Sequence, residues 1–244
     1  MIKHDAPTPL YVQIQDYIQL NIENGVYSVD EKIPSERQLA AQFGVNRLTV
    51  SKAIHELAQD GLVYSRVGKG TFVAATKIRQ PLQTLTGFTE DMHNRQKIAS
   101  SRVLDAGVEP VNEDVAKALS ILPSTAVMVL HRVRLANEKP MALEKATISH
   151  ALCPNIIDNH DFSQESLYRV LQENYNIQVA YAHQTIEARF AGADILEPLE
   201  AAANTPILFI TRVTYTADDQ PVEYVRSSYR GDRYKFHTIL RTLE

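Results

Sequence analysis

The sequence predicts an α+β protein of two domains, and three observations carry that reading. Between residues 10 and 59, apolar positions recur at helical spacing in three short runs. A glycine-containing hairpin pattern follows at 62–73. Beyond residue 86 the chain alternates β-rich runs with shorter helical ones, which suits a largely antiparallel sheet. A length of 244 residues is comfortable for two domains, and 44% hydrophobic with 22% charged residues is ordinary globular usage.

Pro9 precedes Leu10, Ile14, Ile18 and Ile22, a four-residue repeat that lies along one stripe of a helix over roughly 10–24. Ser35 followed three residues later by Gln38 fits a capping box for a second helix, whose buried face is Leu39, Ala40 and Phe43. Gly44 can take the left-handed conformation that ends it, and Asn46 can cap a third helix. In that third helix Val50, Ala53, Ile54 and Leu57 point inward. Arg47, Leu48, Ser51, Lys52 and His55 make the opposite face, with two cations and small hydrogen-bonding groups suited to a DNA groove. Leu62–Ser65 and Thr71–Val73 read as strands joined by Arg66-Val67-Gly68-Lys69-Gly70, a tight wing with basic residues near its tip.

The expected domains are 1–75, a linker at 76–85 that is polar and contains Pro81, and 86–244. In the second domain, strands are expected at Val127–Leu135, Ala142–Ser149, Gln178–Ala188, Ile207–Tyr215 and Val222–Ser228, with helices near 112–119, 166–174 and 193–199.

Several functional classes lose support. No stretch approaches the roughly 20 apolar residues of a membrane helix and no apolar signal core follows Met1, so a cytoplasmic location is expected. Cys153 is the single cysteine; His150-x-x-Cys153 lacks the second pair that a structural zinc needs, so no metal or other cofactor is expected. Gly68-Lys69-Gly70-Thr71 lacks P-loop spacing, and the eight histidines show no H-E-x-x-H pattern. The net charge of −4 runs against nucleic-acid binding. Residues 1–76 themselves carry seven cations (Lys3, Lys32, Arg37, Arg47, Lys52, Arg66, Lys69) against eight Asp and Glu, so any basic surface there is local.

Three linked motifs, Pro34–Ala40, Gly44–Val50 and Gly61–Val63 with Gly68–Val73, resemble the winged helix-turn-helix of the GntR family. Further on, Gly87–Met92, Ser101–Leu104, Arg132–Arg134, Met141–Glu144, Ser166–Tyr168 and Tyr229–Tyr234 resemble the UTRA effector domain of its HutC subfamily. Leu135–Asn137, Pro140–Ala142, the Ser166/Tyr168 pair and Tyr229–Tyr234 look most like repressors of N-acetylglucosamine utilisation. The resemblance spans nearly the whole chain. It implies a chorismate-lyase-like fold near 86–240 that senses a ligand rather than turning one over, a homodimer held through that domain, and operator DNA as partner.

The candidate DNA-contact set is Ser35, Arg37, Asn46, Arg47, Leu48, Thr49, Ser51, Lys52, Arg66, Gly68 and Lys69. Ser51 stands where family members often carry Arg, so operator preference or affinity should differ from that of relatives. The resemblance implies an amino-sugar phosphate held by Phe88, Thr89, Arg132, Arg134, Glu144, Ser166, Tyr168, Glu223 and Tyr229. The chemistry fits: arginines two apart on a strand point the same way and, with hydroxyls, can surround a phosphate. Another sugar phosphate, a phosphonate or a carboxylate remains open as effector. Strand-surface pairing of Arg132 and Arg134 with Glu144, and a lyase-like enzyme bearing a DNA-binding domain, are the rival readings.

Overall fold

Ile14 and Ile18, one helical turn apart, are fully buried and anchor α1 (Leu10–Glu23). The structure is a computed structural model that describes residues 7–74 and 77–240, and the chain divides into units at 1–77 and 78–244.

In the first unit, α2 (Glu36–Phe43) opens on the expected capping box. The Ser35 hydroxyl accepts from the Gln38 N–H, and the Gln38 side chain accepts from the Ser35 N–H. Gly44 ends it at φ 64°, a left-handed conformation that glycine adopts without steric cost. Two residues later Asn46 Oδ1 accepts from the Leu48 N–H at 2.9 Å and starts α3 (Arg47–Gln59). Strands β1 (Val63–Arg66) and β2 (Gly70–Val73) pair antiparallel as the wing, with Arg66 opposite Gly70. Gly70 has φ 112°, a backbone conformation that calls for glycine, and the end of the Lys32 side chain lies over it. The core is Ile14, Ile18, Ile33, Leu39, Val50, Ala53, Ile54, Leu57, Val63 and Val73. It combines one stripe from each helix with the inward residues of the hairpin, which is how so small a unit encloses apolar side chains.

In the second unit six antiparallel strands run in the order β4-β5-β6-β9-β8-β7: β4 (Ala99–Pro110), β5 (Ala126–Ala136), β6 (Lys139–Ser149), β7 (Tyr181–Arg189), β8 (Ile207–Tyr215) and β9 (Pro221–Arg230). Around it lie α4 (Phe88–Asn94), α5 (Glu113–Ala118), α6 (Ile156–Asn159), α7 (Leu167–Tyr175) and α8 (Ala193–Leu196). One face of the sheet carries Met128, Leu130, Ala146, Ile148 and Val225 against Ile156, Leu167, Val170 and Leu171 of α6 and α7. Val133, Leu143 and Ile207 on the other face pack with Leu199 and residues of α8. Among the described residues no helix is long and apolar enough to cross a membrane.

Three expectations need correction. The interval 76–85 is not a plain linker: Ile78–Pro81 form β3, which pairs in parallel with β10 (Tyr234–His237), and Ile78 is buried. Four residues are too few to show a period, and the polar neighbours Arg79 and Gln80 hid the strand. Residues 75–76 lie outside the described residues. Strand β4 was not expected, because as an edge strand it leaves most of both faces exposed and so lacks alternation. Helices α4 and α6 were also missed, being seven and four residues long.

Candidate functional site

The outward face of α3 presents Arg47, Leu48, Lys52 and His55 as exposed side chains, with Ser51 and Thr49 half-buried beside them. Arg47 Nε donates to Glu36 Oε2 at 2.8 Å, so the first turns of α2 and α3 are tied by an ion pair. Lys52 Nζ stands 3.9 Å from the Tyr11 ring centroid, a cation–π contact that fixes the ammonium beside α1. Ser35 and Asn46 spend their side-chain oxygens on helix caps, whereas Arg37 is exposed. On the wing the Arg66 guanidinium lies 5.2 Å from both the Tyr64 and Phe72 ring centroids, and those rings stack on each other. Gly68, at φ 73°, and the Lys69 N–H, which donates to Arg66 O, close the turn. A helix face and a hairpin tip thus offer cations held in place by aromatic rings and one carboxylate.

The second site is a cavity on the helix-covered face of the sheet. Strand alternation brings Arg132 and Arg134 of β5, Glu144 of β6, Glu223, Ser227 and Tyr229 of β9 and Arg212 of β8 to that face, and all seven line the cavity. Its cover is Gln80, Gly87–Thr89 and Asp91 at the start of the domain, Ser166 to Tyr168 at the N-terminus of α7, and Tyr234 with Phe236. Gly87 packs close to the Tyr168 ring: a Cβ there would stand 3.3 Å from it. All nine expected effector residues are therefore gathered in one place.

The charges inside are unevenly matched. Arg132 Nε and Nη2 reach Glu144 Oε1 at 3.0 and 2.9 Å, across directly opposed positions of β5 and β6. Burial alone would raise the Glu144 carboxyl, but Arg132 and Arg134 outweigh it and hold the group below its ordinary range. Among the described residues no carboxylate forms an ion pair with Arg134. Its Nη2 donates to Thr89 Oγ1 at 2.9 Å and its guanidinium lies 4.7 Å from the Phe88 ring centroid. Burial, with Arg132 repelling it, pushes Arg134 down to about 10. Arg132 Nη1 and Arg134 Nε are buried and, among the described residues, have no hydrogen-bond partner. Buried donors are rarely left so, because each forfeits its hydration without a replacement bond.

The Tyr168 hydroxyl donates to Glu223 Oε2 at 2.8 Å and lies 3.2 Å from Thr214 Oγ1. Burial and then the Glu144 carboxylate push Glu223 up to about 7. Burial, followed by Glu144, raises Tyr229 to about 12. Ser166 caps α7, accepting from the Arg169 N–H at 3.4 Å. The ion pair proposed as a rival reading exists at Arg132, but it is buried rather than a strand-surface pair, and Arg134 takes no part in it.

Sequence reasoning missed Arg212, Ser227, Asp91, Gln80, Tyr234 and Phe236 among the lining residues. Arg212 had a signal: it is the one charged residue in the run Ile207–Tyr215. Asp91 is a structural member, paired with Arg95 one turn on and accepting from the Tyr234 hydroxyl. The Cys153 thiol lies apart in the apolar core, where its sulfur reaches Ser149 O.

Residues 10–73 match the model of bacterial regulatory proteins of the gntR family, and residues 94–235 match the UTRA domain. The HTH-type transcriptional repressor NagR of Bacillus subtilis is 37% identical over 96% of this chain and 96% of its own. The mannosyl-D-glycerate transport/metabolism system repressor MngR of Escherichia coli is 30% identical over 95% of each. The crystal structure of PhnF from Mycobacterium smegmatis superposes with a TM-score of 0.82 at 29% identity, covering 94% of this chain and all of that one. The chain thus belongs to the gntR family of bacterial transcription regulators and carries the UTRA domain of its HutC-like members.

Proposed function

We propose that this regulator is a repressor released from an operator by a phosphorylated metabolite, with an amino-sugar 6-phosphate as the best match. The observation that carries the ligand class is the pair of unpartnered buried donors, Arg132 Nη1 and Arg134 Nε, in one cavity. A phosphate dianion supplies acceptors for both and offsets the unbalanced charge of Arg134. Thr89, Ser166 and Tyr168 add hydroxyls, Phe88 packs against Arg134, and Glu144, Glu223 and Tyr229 face the sugar. The likeness to NagR and to N-acetylglucosamine-utilisation repressors supports the amino sugar.

On the first unit, Arg47, Lys52, Arg37 and the wing residues Arg66 and Lys69 supply the charge for DNA; Leu48, Thr49 and Ser51 face the major groove. Ser35 and Asn46 set the helix termini that bring backbone N–H groups toward phosphates, and Gly68 shapes the wing tip. A homodimer matches an inverted-repeat operator by sharing its two-fold symmetry. Release requires the effector to prefer a form of the protein with weaker operator affinity, and linkage then makes operator DNA weaken effector binding by the same factor. Calorimetry with glucosamine 6-phosphate, N-acetylglucosamine 6-phosphate and both unphosphorylated sugars tests the reading. Equal affinity for phosphorylated and neutral sugars would overturn it.

A further inference from the structure

Three arginines line the cavity, and the register of the sheet separates one from the other two. Arg132 lies opposite Glu144, Glu144 opposite Ser227 and Ser227 opposite Ile210, so Arg212 is three strands across and two residues along from Arg132. Three strand spacings amount to about 14 Å, with about 7 Å more along β8. The backbones that carry Arg132 and Arg134 on the one hand and Arg212 on the other are thus well separated on the sheet, and their side chains converge on the cavity with Glu144, Glu223, Val225 and Ser227 between them in strand order.

Arg212 is held by Gln184 of β7 and faces Tyr168 and Glu223 inside the cavity. Its Nε donates at 2.9 Å to Oε1 of Gln184, the residue opposite it on β7, and its Nη2 donates to the same oxygen. Among the described residues no carboxylate forms an ion pair with it. It further lines a groove of ≈ 240 Å³ bounded by Leu82–Leu85 and Tyr181, which shares Gln80 and Phe236 with the cavity. The cavity itself is ≈ 50 Å³, well short of the roughly 300–1,000 Å³ of typical small-molecule sites. A phosphate fits such a chamber; the rest of a ligand has to extend out of it, and Arg212 stands where the chamber meets the groove.

We propose that Arg212 adds a donor at the non-phosphate end of the effector, bonding an acceptor oxygen there beside Glu144, Glu223 and Tyr229, while the groove beside Leu82–Leu85 takes whatever that end carries. This rests on the phosphate reading given above and extends it. The ligand class becomes a phosphorylated compound with a carbonyl, carboxylate or hydroxyl oxygen at the end opposite the phosphate. Gln184 is the positioning residue that fixes the direction of the guanidinium.

The test is calorimetric titration of the full-length protein with two probes, inorganic phosphate and N-acetylglucosamine 6-phosphate, on wild type, Arg134→Gln and Arg212→Gln. Arg134→Gln is expected to weaken both probes by about tenfold or more. Arg212→Gln is expected to weaken the sugar phosphate by about tenfold while leaving inorganic phosphate within about twofold. Arg212→Lys, which keeps the charge but not the fork, serves as the second variant where Arg212→Gln folds poorly; an intermediate loss confined to the sugar phosphate is expected. Equal losses of both probes at Arg212, or none, would overturn the assignment. Insensitivity of both probes to Arg134→Gln would instead overturn the phosphate reading, so the silent variant identifies which idea has failed.

Discussion

Glu36 and Arg47 meet in a 2.8 Å ion pair that joins the first turn of α2 to the first turn of α3, although Arg47 keeps 72% of its side chain exposed. So exposed a pair contributes about 0–1 kcal/mol and yields readily to a stronger partner. Its effect is to keep the guanidinium near the start of the helix that faces DNA. Arg47→Ala is expected to weaken operator binding by about 1–3 kcal/mol, concentrated at one operator position, and to leave effector binding unchanged. Glu36→Gln is expected to change operator affinity by under about 1 kcal/mol. Gel-shift titrations on the operator and on single-base variants check both; unchanged affinity for Arg47→Ala removes it from the interface.

The two cavity arginines should differ in sign when removed. Arg132 offsets the buried Glu144 carboxylate, so Arg132→Ala strands a charge and is expected to cost about 3–5 kcal/mol of stability. Arg134 is buried without a carboxylate and pressed by Arg132, so Arg134→Met is expected to raise the melting temperature while abolishing the response to phosphorylated ligands. Thermal melts with and without ligand distinguish them. A destabilised Arg134→Met would show that its bond to Thr89 and its contact with Phe88 outweigh the charge penalty.

Glu223 gives the domain a pH dependence. Its carboxyl is raised from 4.5 to about 7, so between those values the folded state binds the proton that the unfolded state has released. Stability from this group is full below about pH 4.5, declines as pH rises toward 7, and is gone above that. The total is at most about 3 kcal/mol, from the size of the shift. Denaturant titrations at pH 5.5 and 8 should show wild type losing stability with rising pH and Glu223→Gln losing less of it. Identical slopes would mean that Glu223 ionises normally.

Gly44 ends α2 at φ 64° immediately before the helix that carries Arg47. Gly44→Val is expected to destabilise the first unit by about 1–2 kcal/mol, the cost of a left-handed conformation for a residue with a Cβ. Operator binding at 25 °C should persist, and the loss should appear in thermal unfolding of that unit alone.

The first unit could be read almost entirely from the sequence because its determinants are local. A capping serine, a left-handed glycine, a capping asparagine and a 3.6-residue apolar period each act within a few residues, and Ser35, Gly44, Asn46 and Val50 occupy their expected places. Strand β8 was equally legible, since Ile207–Tyr215 is a continuous run bounded by Pro206 and a turn. Alternation also placed Arg132 and Arg134 on one face before any tertiary contact was known.

What tertiary structure alone decided depends on residues far apart in sequence. Pairing of Ile78–Pro81 with Tyr234–His237 spans more than 150 residues, and no local pattern announces it. Strand β4 is a strand because β5 offers it an edge, not because its own residues alternate between solvent and core. The same holds for the cavity. That Glu144 pairs with Arg132 but leaves Arg134 unmatched, and that Arg212 faces them from three strands away, follow from register, and register is set by how whole faces bury. Residue types told which side chains could meet a phosphate; strand order and burial told which of them were left with donors to give.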